Sequence, residues 1–422
     1  MRKIYNGSIS YKILFQLRNY GDAKRSSFIS TLSEHCKQSV ESTILKLLKS
    51  GQIEEYKKAP RPGATPVRYL RLSTIGKTSV VQLEEEHGEQ KPNLDLSAIR
   101  REERKELVMR AYNACRAMGM LVEECDKPNL SMLISPVSAP TNENEKEKIR
   151  EMREVGAYYS LSEIRKASRA AYGSGPLNQT RCIGVVIRGY RIYFIYNMGG
   201  KLLFFNATVE RKTKEDILKL FERSLVMRMG TEFTLRKEAP CILFGNSYNC
   251  VAQLFYKRHA GCLAVDKDGH EIKREGNWVP NKDRISMDVL GDIFSEVYFV
   301  SSRDAGAVFG SVTTMDAQRV QKLNSRWLTQ QSALRIVDDN SGAQAVVKGS
   351  GDHVFIWLDN DLKSLYELFK RGTRSYVIIP MTGPEKAISK VLGTSLVNIQ
   401  AIGGTIFDVP RFDNTGHPIK KD

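Results

Sequence analysis

The chain has 422 residues and a formal net charge of +16 at pH 7, and 41% of its residues are hydrophobic. This length predicts roughly two to four domains with packed cores. No apolar run is long enough to span a bilayer, and the first residues lack the apolar segment of a signal peptide, so we expect a cytoplasmic protein without a membrane partner. Seven widely spaced cysteines and six scattered histidines give no disulfide framework, no zinc ribbon and no metal cluster, so we expect no resident cofactor.

Positive charge is concentrated at the start of the chain. Residues 1–80 contain fifteen Lys or Arg and five Asp or Glu, a net charge of +10. Apolar spacing predicts a helix over Ser8–Asn19, a second helix beginning near Ala23, and a third over Lys37–Ser50. Gln52–Tyr56 and Arg68–Leu72 can then pair as a hairpin. This order predicts a winged helix-turn-helix, and its charge is typical of a domain that binds DNA phosphates.

The third helix and the hairpin carry the predicted DNA contacts. Val40, Ile44, Leu47 and Leu48 form the predicted buried stripe of the third helix, which leaves Thr43 and the other polar side chains facing outward, where they can reach base edges and phosphates. The residues predicted to bind DNA are Lys37, Gln38, Ser39, Ser42 and Lys46 on the helix, and Lys57, Lys58, Arg61 and Arg68 on the hairpin. The alternative is a winged helix that binds another protein.

Helices and a charged linker follow the hairpin. A helix is expected from Leu72 to about Glu85, and a long helix from Leu96 to Met120. The long helix could dimerise the protein or bridge to the next domain within one chain. Pro136–Glu147 is rich in Pro, Asn and Glu and is expected to be an exposed loop.

A second module is predicted from about Arg150. Its elements are a helix (Ser162–Tyr172), three strands, a helix (Lys214–Met229) and a fourth strand (Ala239–Gly245). The three strands are predicted over Arg181–Arg188, Arg191–Asn197 and Leu202–Glu210. The order αβββαβ is typical of the restriction-endonuclease-like fold, whose active site holds a metal ion with carboxylates and a lysine.

A nuclease site can be drawn on this fold. Glu210 and Lys212 fall where an E-x-K motif would end the third strand, with Glu210 ligating Mg²⁺ and Lys212 orienting the attacking water, and Glu163 could add a carboxylate from the leading helix. The second strand lacks the aspartate that should open it. A degenerate fold that serves as a binding platform is therefore preferred to an active nuclease.

The last third of the chain is also predicted to be α/β. Strands are expected over Ile293–Ser301, Val354–Leu358, Ser375–Pro380 and Leu396–Ala401, with helices over Asp361–Arg371 and Pro384–Leu392. The predicted organisation is a multi-domain α/β protein: a winged helix (1–85), a charged helical linker (86–149), a restriction-endonuclease-like domain (150–300) and a C-terminal α/β region (301–422).

Two segments resemble the replication-relaxation family. The run from Lys46 to Ile53, the basic wing, and Tyr69-Leu70-Arg71-Leu72-Ser73-Thr74-Ile75-Gly76 are similar to the progression of that family's winged helix. The stretches Cys182–Val186 and Arg191–Asn197 also look like the nuclease-like portion that accompanies it. The resemblance covers about the first 245 residues and implies an accessory role in replication, DNA relaxation or transfer of a plasmid or integrative element.

Three functions remain open. The first is a non-enzymatic accessory that binds double-stranded DNA and positions a relaxase or replication protein. The second is a Mg²⁺-dependent nuclease using Glu210, Lys212 and Glu163. The third is a transcriptional regulator whose α/β domain senses a small ligand or a partner.

Overall fold

In the computed structural model, the residues described are 8–32, 35–59, 65–87, 102–117, 119–123, 125–134, 143–172, 180–189, 191–199, 206–229, 239–245, 251, 254, 273–274, 277–278, 286–301, 328, 332–337, 344–349, 351–357, 361–371 and 376–380. The chain divides into two compact units. The first contains Met1–Gly175, Ile183–Tyr190 and Leu220–Thr234, and the second contains Pro176–Cys182, Arg191–Lys219 and Leu235–Asp422. Both mix helices and strands, so the predicted α/β class is confirmed. No helix in the described part has both the length and the apolar character needed to cross a membrane.

Three helices open the first unit, as the apolar spacing predicts. They are α1 (Ile9–Tyr20), α2 (Arg25–Thr31) and α3 (Lys37–Lys49). α1 begins at Ser8, whose hydroxyl accepts the N–H of Tyr11 at 3.2 Å, and ends at Gly21 with φ of 74°. A serine N-cap and a glycine with positive φ are the local signals that start and stop a helix.

A small antiparallel sheet accompanies these helices. Its strands β1 (Asp22–Lys24), β2 (Ile53–Lys58) and β3 (Val67–Leu72) lie in the order β1-β3-β2. The predicted hairpin is confirmed, with Lys57 opposite Arg68 and Ile53 opposite Leu72. The strand β1 is an addition to the prediction.

The junction between the hairpin and helix α4 (Thr74–His87) is tightly built. The Ser73 hydroxyl accepts the N–H of Gly76 at 3.0 Å and donates to the Gly51 carbonyl oxygen at 2.5 Å. A Cβ on Gly76 would lie 1.9 Å from the Gln52 carbonyl oxygen, so this position requires glycine. Ser73 therefore caps the start of α4, and Gly76 allows the close approach of the Gln52 backbone.

The rest of the first unit contains α5 (Glu102–Ala117), α6 (Leu130–Ile134), α7 (Glu143–Val155), β4 (Ala157–Ser160), α8 (Leu161–Tyr172) and β5 (Gly184–Arg188). Helix α5 lies inside the predicted long helix, and its Val108, Met109, Tyr112 and Cys115 are buried. It is packed within the unit, which favours the bridging alternative of the prediction.

The expected loop Pro136–Glu147 is wrong over its last five residues, which are helical, and β4 was not predicted. Strands β4 and β5 pair antiparallel.

The second unit contains the strands β6 (Arg191–Gly199), β7 (Cys241–Gly245) and β10 (Val297–Ser301), in which β7 is parallel to both neighbours. Two short strands, β8 (Lys273–Arg274) and β9 (Asn277–Trp278), form a separate pair. Helix α9 runs over Ala207–Met229. The predicted third strand, Leu202–Glu210, is therefore wrong at its C-terminal end, because Asn206 caps α9 by accepting the N–H groups of Thr208 and Val209 at 3.1 and 3.2 Å.

A four-stranded sheet follows in the same unit. Its order is β11 (Leu334–Ile336), β12 (Ala345–Val347), β13 (His353–Trp357) and β14 (Tyr376–Pro380), with a helix over Leu362–Arg371 between the last two strands. The observed strand β10 begins four residues after the start of the predicted strand Ile293–Ser301, because Ile293 is the last residue of a helix over Met287–Ile293. The predicted elements Pro384–Leu392 and Leu396–Ala401 lie outside the described residues.

Candidate nucleic-acid interface

Helix α3 presents a continuous exposed face. Val40, Thr43, Ile44 and Leu47 form its buried stripe. On the opposite side, the spacing of four, three and four residues aligns Gln38, Ser42, Leu45 and Lys49, all of which are exposed. Lys37 and Lys46 are exposed at the margins of this face. We call these six residues the reading face.

The outward face predicted from the sequence needs two corrections. Thr43 is buried, and its hydroxyl donates to the Ser39 carbonyl oxygen at 2.8 Å, so it belongs to the core side of the helix. Ser39 is only partly exposed. Sequence reasoning also missed Leu45 and Lys49, which share the helical period of Gln38 and Ser42. Their spacing was the available signal.

The hairpin that follows α3 in the chain carries further exposed cations. Lys57 and Lys58 are exposed at the end of β2, and Arg68 is exposed at the start of β3, directly opposite Lys57. The remaining predicted residue, Arg61, lies outside the described residues. Among the residues that the structure describes, Lys37, Lys46, Lys49, Lys57 and Lys58 make no ion pair with a carboxylate.

Arginines, in contrast, neutralise the nearby carboxylates. Arg25 on α2 forms ion pairs with Glu41 on α3 at 2.6 Å and with Glu55 on β2 at 2.7 Å, and its side chain is only 17% exposed. Burial alone would lower the pKa of Arg25, but its ion pairs with both carboxylates outweigh burial and raise it. The same guanidinium thus links the reading helix to the hairpin.

Two further arginines complete this pattern on the hairpin. Arg71 pairs with Glu54 at 2.8 Å, and Arg68 lies 3.5 Å from Glu55. The hydrogen bond to Glu54 raises the pKa of Arg71. The carboxylates of α3 and β2 are therefore held by arginines, whereas the lysines beside them keep their charge available for an anionic partner.

An exposed cysteine marks the N-terminus of α3. Cys36 occupies the N-cap position, and its Sγ lies 2.9 Å from the Ser39 hydroxyl oxygen. This hydrogen bond lowers the pKa of the Cys36 thiol.

The predicted catalytic glutamates are both engaged in the protein's own framework. Glu163, at the start of α8, pairs at 2.6 Å with Lys127, a lysine that is 3% exposed and also donates to the carbonyl oxygens of Val122 and Tyr158. The other Glu163 oxygen accepts the N–H of Ser160 at 2.7 Å.

Glu210 is fully buried in the first turn of α9 rather than at a strand end. One of its carboxylate oxygens accepts from the hydroxyls of Thr180 at 2.5 Å and Tyr196 at 2.9 Å, and the other from the N–H of Arg181 at 2.6 Å. Burial raises the pKa of Glu210, although these hydrogen bonds oppose the shift. Lys212 is exposed on the same helix. The predicted placement of Glu210 and Lys212 as an E-x-K motif on a strand is therefore wrong.

Comparison with known proteins adds no relative. No protein-family model matches the chain, and neither a curated protein nor a solved structure matches it. No group of three or more His, Cys, Asp or Glu side chains within the described residues is placed to hold a metal ion.

Proposed function

We propose that residues 8–87 form a winged helix-turn-helix that binds double-stranded DNA. The observation that carries this proposal is the separation of charges: arginines neutralise the carboxylates of α3 and β2, while the exposed lysines of α3 and β2 lack such partners among the described residues. A surface with cations available and anions neutralised is suited to the phosphate backbone.

The two parts of this surface have different roles in the proposal. The reading face of α3 enters the major groove, where Gln38 and Ser42 reach base edges. Lys57 and Lys58 contact a row of backbone phosphates, together with the wing residue Arg61, whereas Arg68 contacts Glu55. Phosphate contacts fix the position of the protein on the duplex, and base contacts determine its preference between sequences.

We further propose an accessory role for the whole chain in replication, DNA relaxation or transfer of a plasmid or integrative element. The support is the resemblance of the winged-helix and strand segments to the replication-relaxation family. In this role the α/β part binds a relaxase, a replication protein or a second DNA segment, and the protein itself leaves DNA covalently intact.

The nuclease alternative has less support than at the sequence level. Its E-x-K motif required Glu210 at the end of a strand, but Glu210 is buried in a helix with both oxygens accepting hydrogen bonds. A carboxylate in that state would have to exchange its donors for a metal ion.

Supercoiled plasmid distinguishes these functions. The full chain is incubated with plasmid, with and without Mg²⁺, and both mobility and topology are read from gels. The accessory proposal predicts retarded but intact plasmid under both conditions. Metal-dependent open circles that vanish in Lys212→Ala would overturn it in favour of the nuclease, and plasmid of unchanged mobility would refute DNA binding.

A charge-matched pair of variants tests the location of the interface. Lys57→Ala/Lys58→Ala should weaken retardation, because two proposed phosphate contacts are lost. Lys166→Ala/Lys219→Ala removes the same charge from two exposed lysines on α8 and α9 and should bind as the wild type does. Equal losses in both variants would mean that net charge, and not the hairpin, determines binding.

A further inference from the structure

The reading face has an apolar side chain at its middle. Leu45 is 48% exposed and lies three residues after Ser42, four before Lys49 and seven after Gln38 on the same side of α3. Large hydrophobic side chains with comparable exposure in the described part of the chain are few: Leu45, Ile75, Val81 and Ile336.

The chemistry of the major groove supplies one apolar partner for such a side chain. Each base pair presents hydrogen-bond donors and acceptors there, but only thymine adds a methyl group, at C5. A leucine cannot hydrogen-bond to a base edge, so it can distinguish bases only through apolar contact. The lysines on the same helix favour the phosphate backbones that flank the groove.

We infer that Leu45 is a specificity-determining residue that contacts the C5-methyl group of thymine in the bound duplex. This inference rests on the proposed function, because it requires α3 to lie in the major groove. Its consequence is a preference for a thymine at one position of the binding site, set by contact of two apolar groups rather than by hydrogen bonding.

The test removes the methyl group from the DNA and the side chain from the protein. A duplex bound by the full chain is first selected from a random pool. Each thymine is then replaced singly by deoxyuridine, which keeps every hydrogen-bonding group and lacks only the methyl. Affinities are measured by fluorescence anisotropy for the wild type, Leu45→Ala and Val81→Ala, where Val81 is a 45% exposed side chain on α4.

For the wild type, we expect one deoxyuridine position to weaken binding about four-fold, the worth of one buried methyl-sized group. Leu45→Ala should bind the thymine duplex more weakly and show no loss on that replacement, whereas Val81→Ala should behave as the wild type. Circular dichroism of both variants checks that they are folded.

The outcomes separate the inference from the proposed function. Selection of no duplex by the wild type would overturn DNA binding itself and the inference with it. A wild type that binds tightly but is indifferent to every deoxyuridine, or a Leu45→Ala variant that keeps the wild-type sensitivity, would refute the role of Leu45 and leave DNA binding standing.

Discussion

Replacement of Gly76 by alanine tests the packing of the hairpin against α4. The new Cβ would lie 1.9 Å from the Gln52 carbonyl oxygen and 3.0 Å from the Gln52 carbonyl carbon. An ordinary contact begins at 3.4 Å, so the backbone at Gln52 and the backbone of α4 must separate by 1.5 Å. Overpacking of this kind costs about 3 kcal/mol when the obstacle is backbone, the upper part of the usual range. The higher helix propensity of alanine offsets at most ~1 kcal/mol of this cost. We therefore expect a net loss of about 2 kcal/mol.

Thermal unfolding followed by circular dichroism measures this loss. A change of about 2 kcal/mol lowers the Tm of a unit of this size by about 4–8 °C. The matched control is Gly291→Ala, also within a helix, where the nearest atom to the new Cβ is Cε of Lys363 at 3.6 Å, an ordinary van der Waals contact. That variant should be neutral or slightly stabilised. A Gly76→Ala protein as stable as the control would show that the close approach of Gln52 to α4 is not a constraint.

Four further expectations concern the ion pairs, the buried carboxylate and the thiol. Arg25→Met should weaken DNA binding, because Glu41 loses its arginine partner and Glu55 keeps only the 3.5 Å contact with Arg68. Conversion of both carboxylates to glutamines should restore affinity in the same anisotropy assay. Lys127→Met should destabilise the chain by about 3 kcal/mol in urea unfolding, because its carboxylate partner loses its counter-charge in a partly buried site; an unchanged midpoint would contradict the pairing. Burial raises the folded-state pKa of Glu210 above its ordinary value of 4.5. The stabilising contribution of this carboxyl group is therefore complete below pH 4.5 and is lost as the pH rises through the folded-state pKa. Glu210→Gln should flatten the dependence of the unfolding free energy on pH in this range. Iodoacetamide should modify the exposed Cys36 well before the buried Cys115. Bound duplex should slow the modification of Cys36; a Cys36 rate that is equal with and without DNA would place the duplex elsewhere.

Local signals explain which elements could be predicted from the sequence. The bounds of α1 follow from a serine N-cap and a terminal glycine, and α3 follows from its apolar period and Gly51. The hairpin follows from two alternating segments around a proline-containing loop. These features act within a few residues, so the sequence displays them directly.

The error at Glu210 had a local signal that the prediction did not use. Asn206 is a favourable N-cap, and its side chain starts α9 at Ala207, which removes the end of the predicted strand. The apolar run before Asn206 favoured extending the strand, because period and composition do not separate short apolar segments.

The electrostatics of the candidate interface could not be predicted, because they depend on contacts between distant segments. Arg25 meets Glu41 and Glu55 from sixteen and thirty residues away, and Glu210 meets Thr180 from thirty residues away. The sequence shows that the first eighty residues are basic. Only the fold shows which cations are engaged by carboxylates and which remain available.

The salt dependence of duplex binding tests the central claim most directly. Affinity of the full chain for a fixed duplex is measured by fluorescence anisotropy over a series of salt concentrations, for the wild type and for a variant with Lys37, Lys46, Lys57 and Lys58 all changed to alanine. Each lost phosphate contact lowers the slope of log affinity against log salt by about 0.9, so we expect the variant's slope to be shallower by about four. A variant that retains the wild-type slope would show that these lysines do not contact DNA phosphates, and would contradict the account.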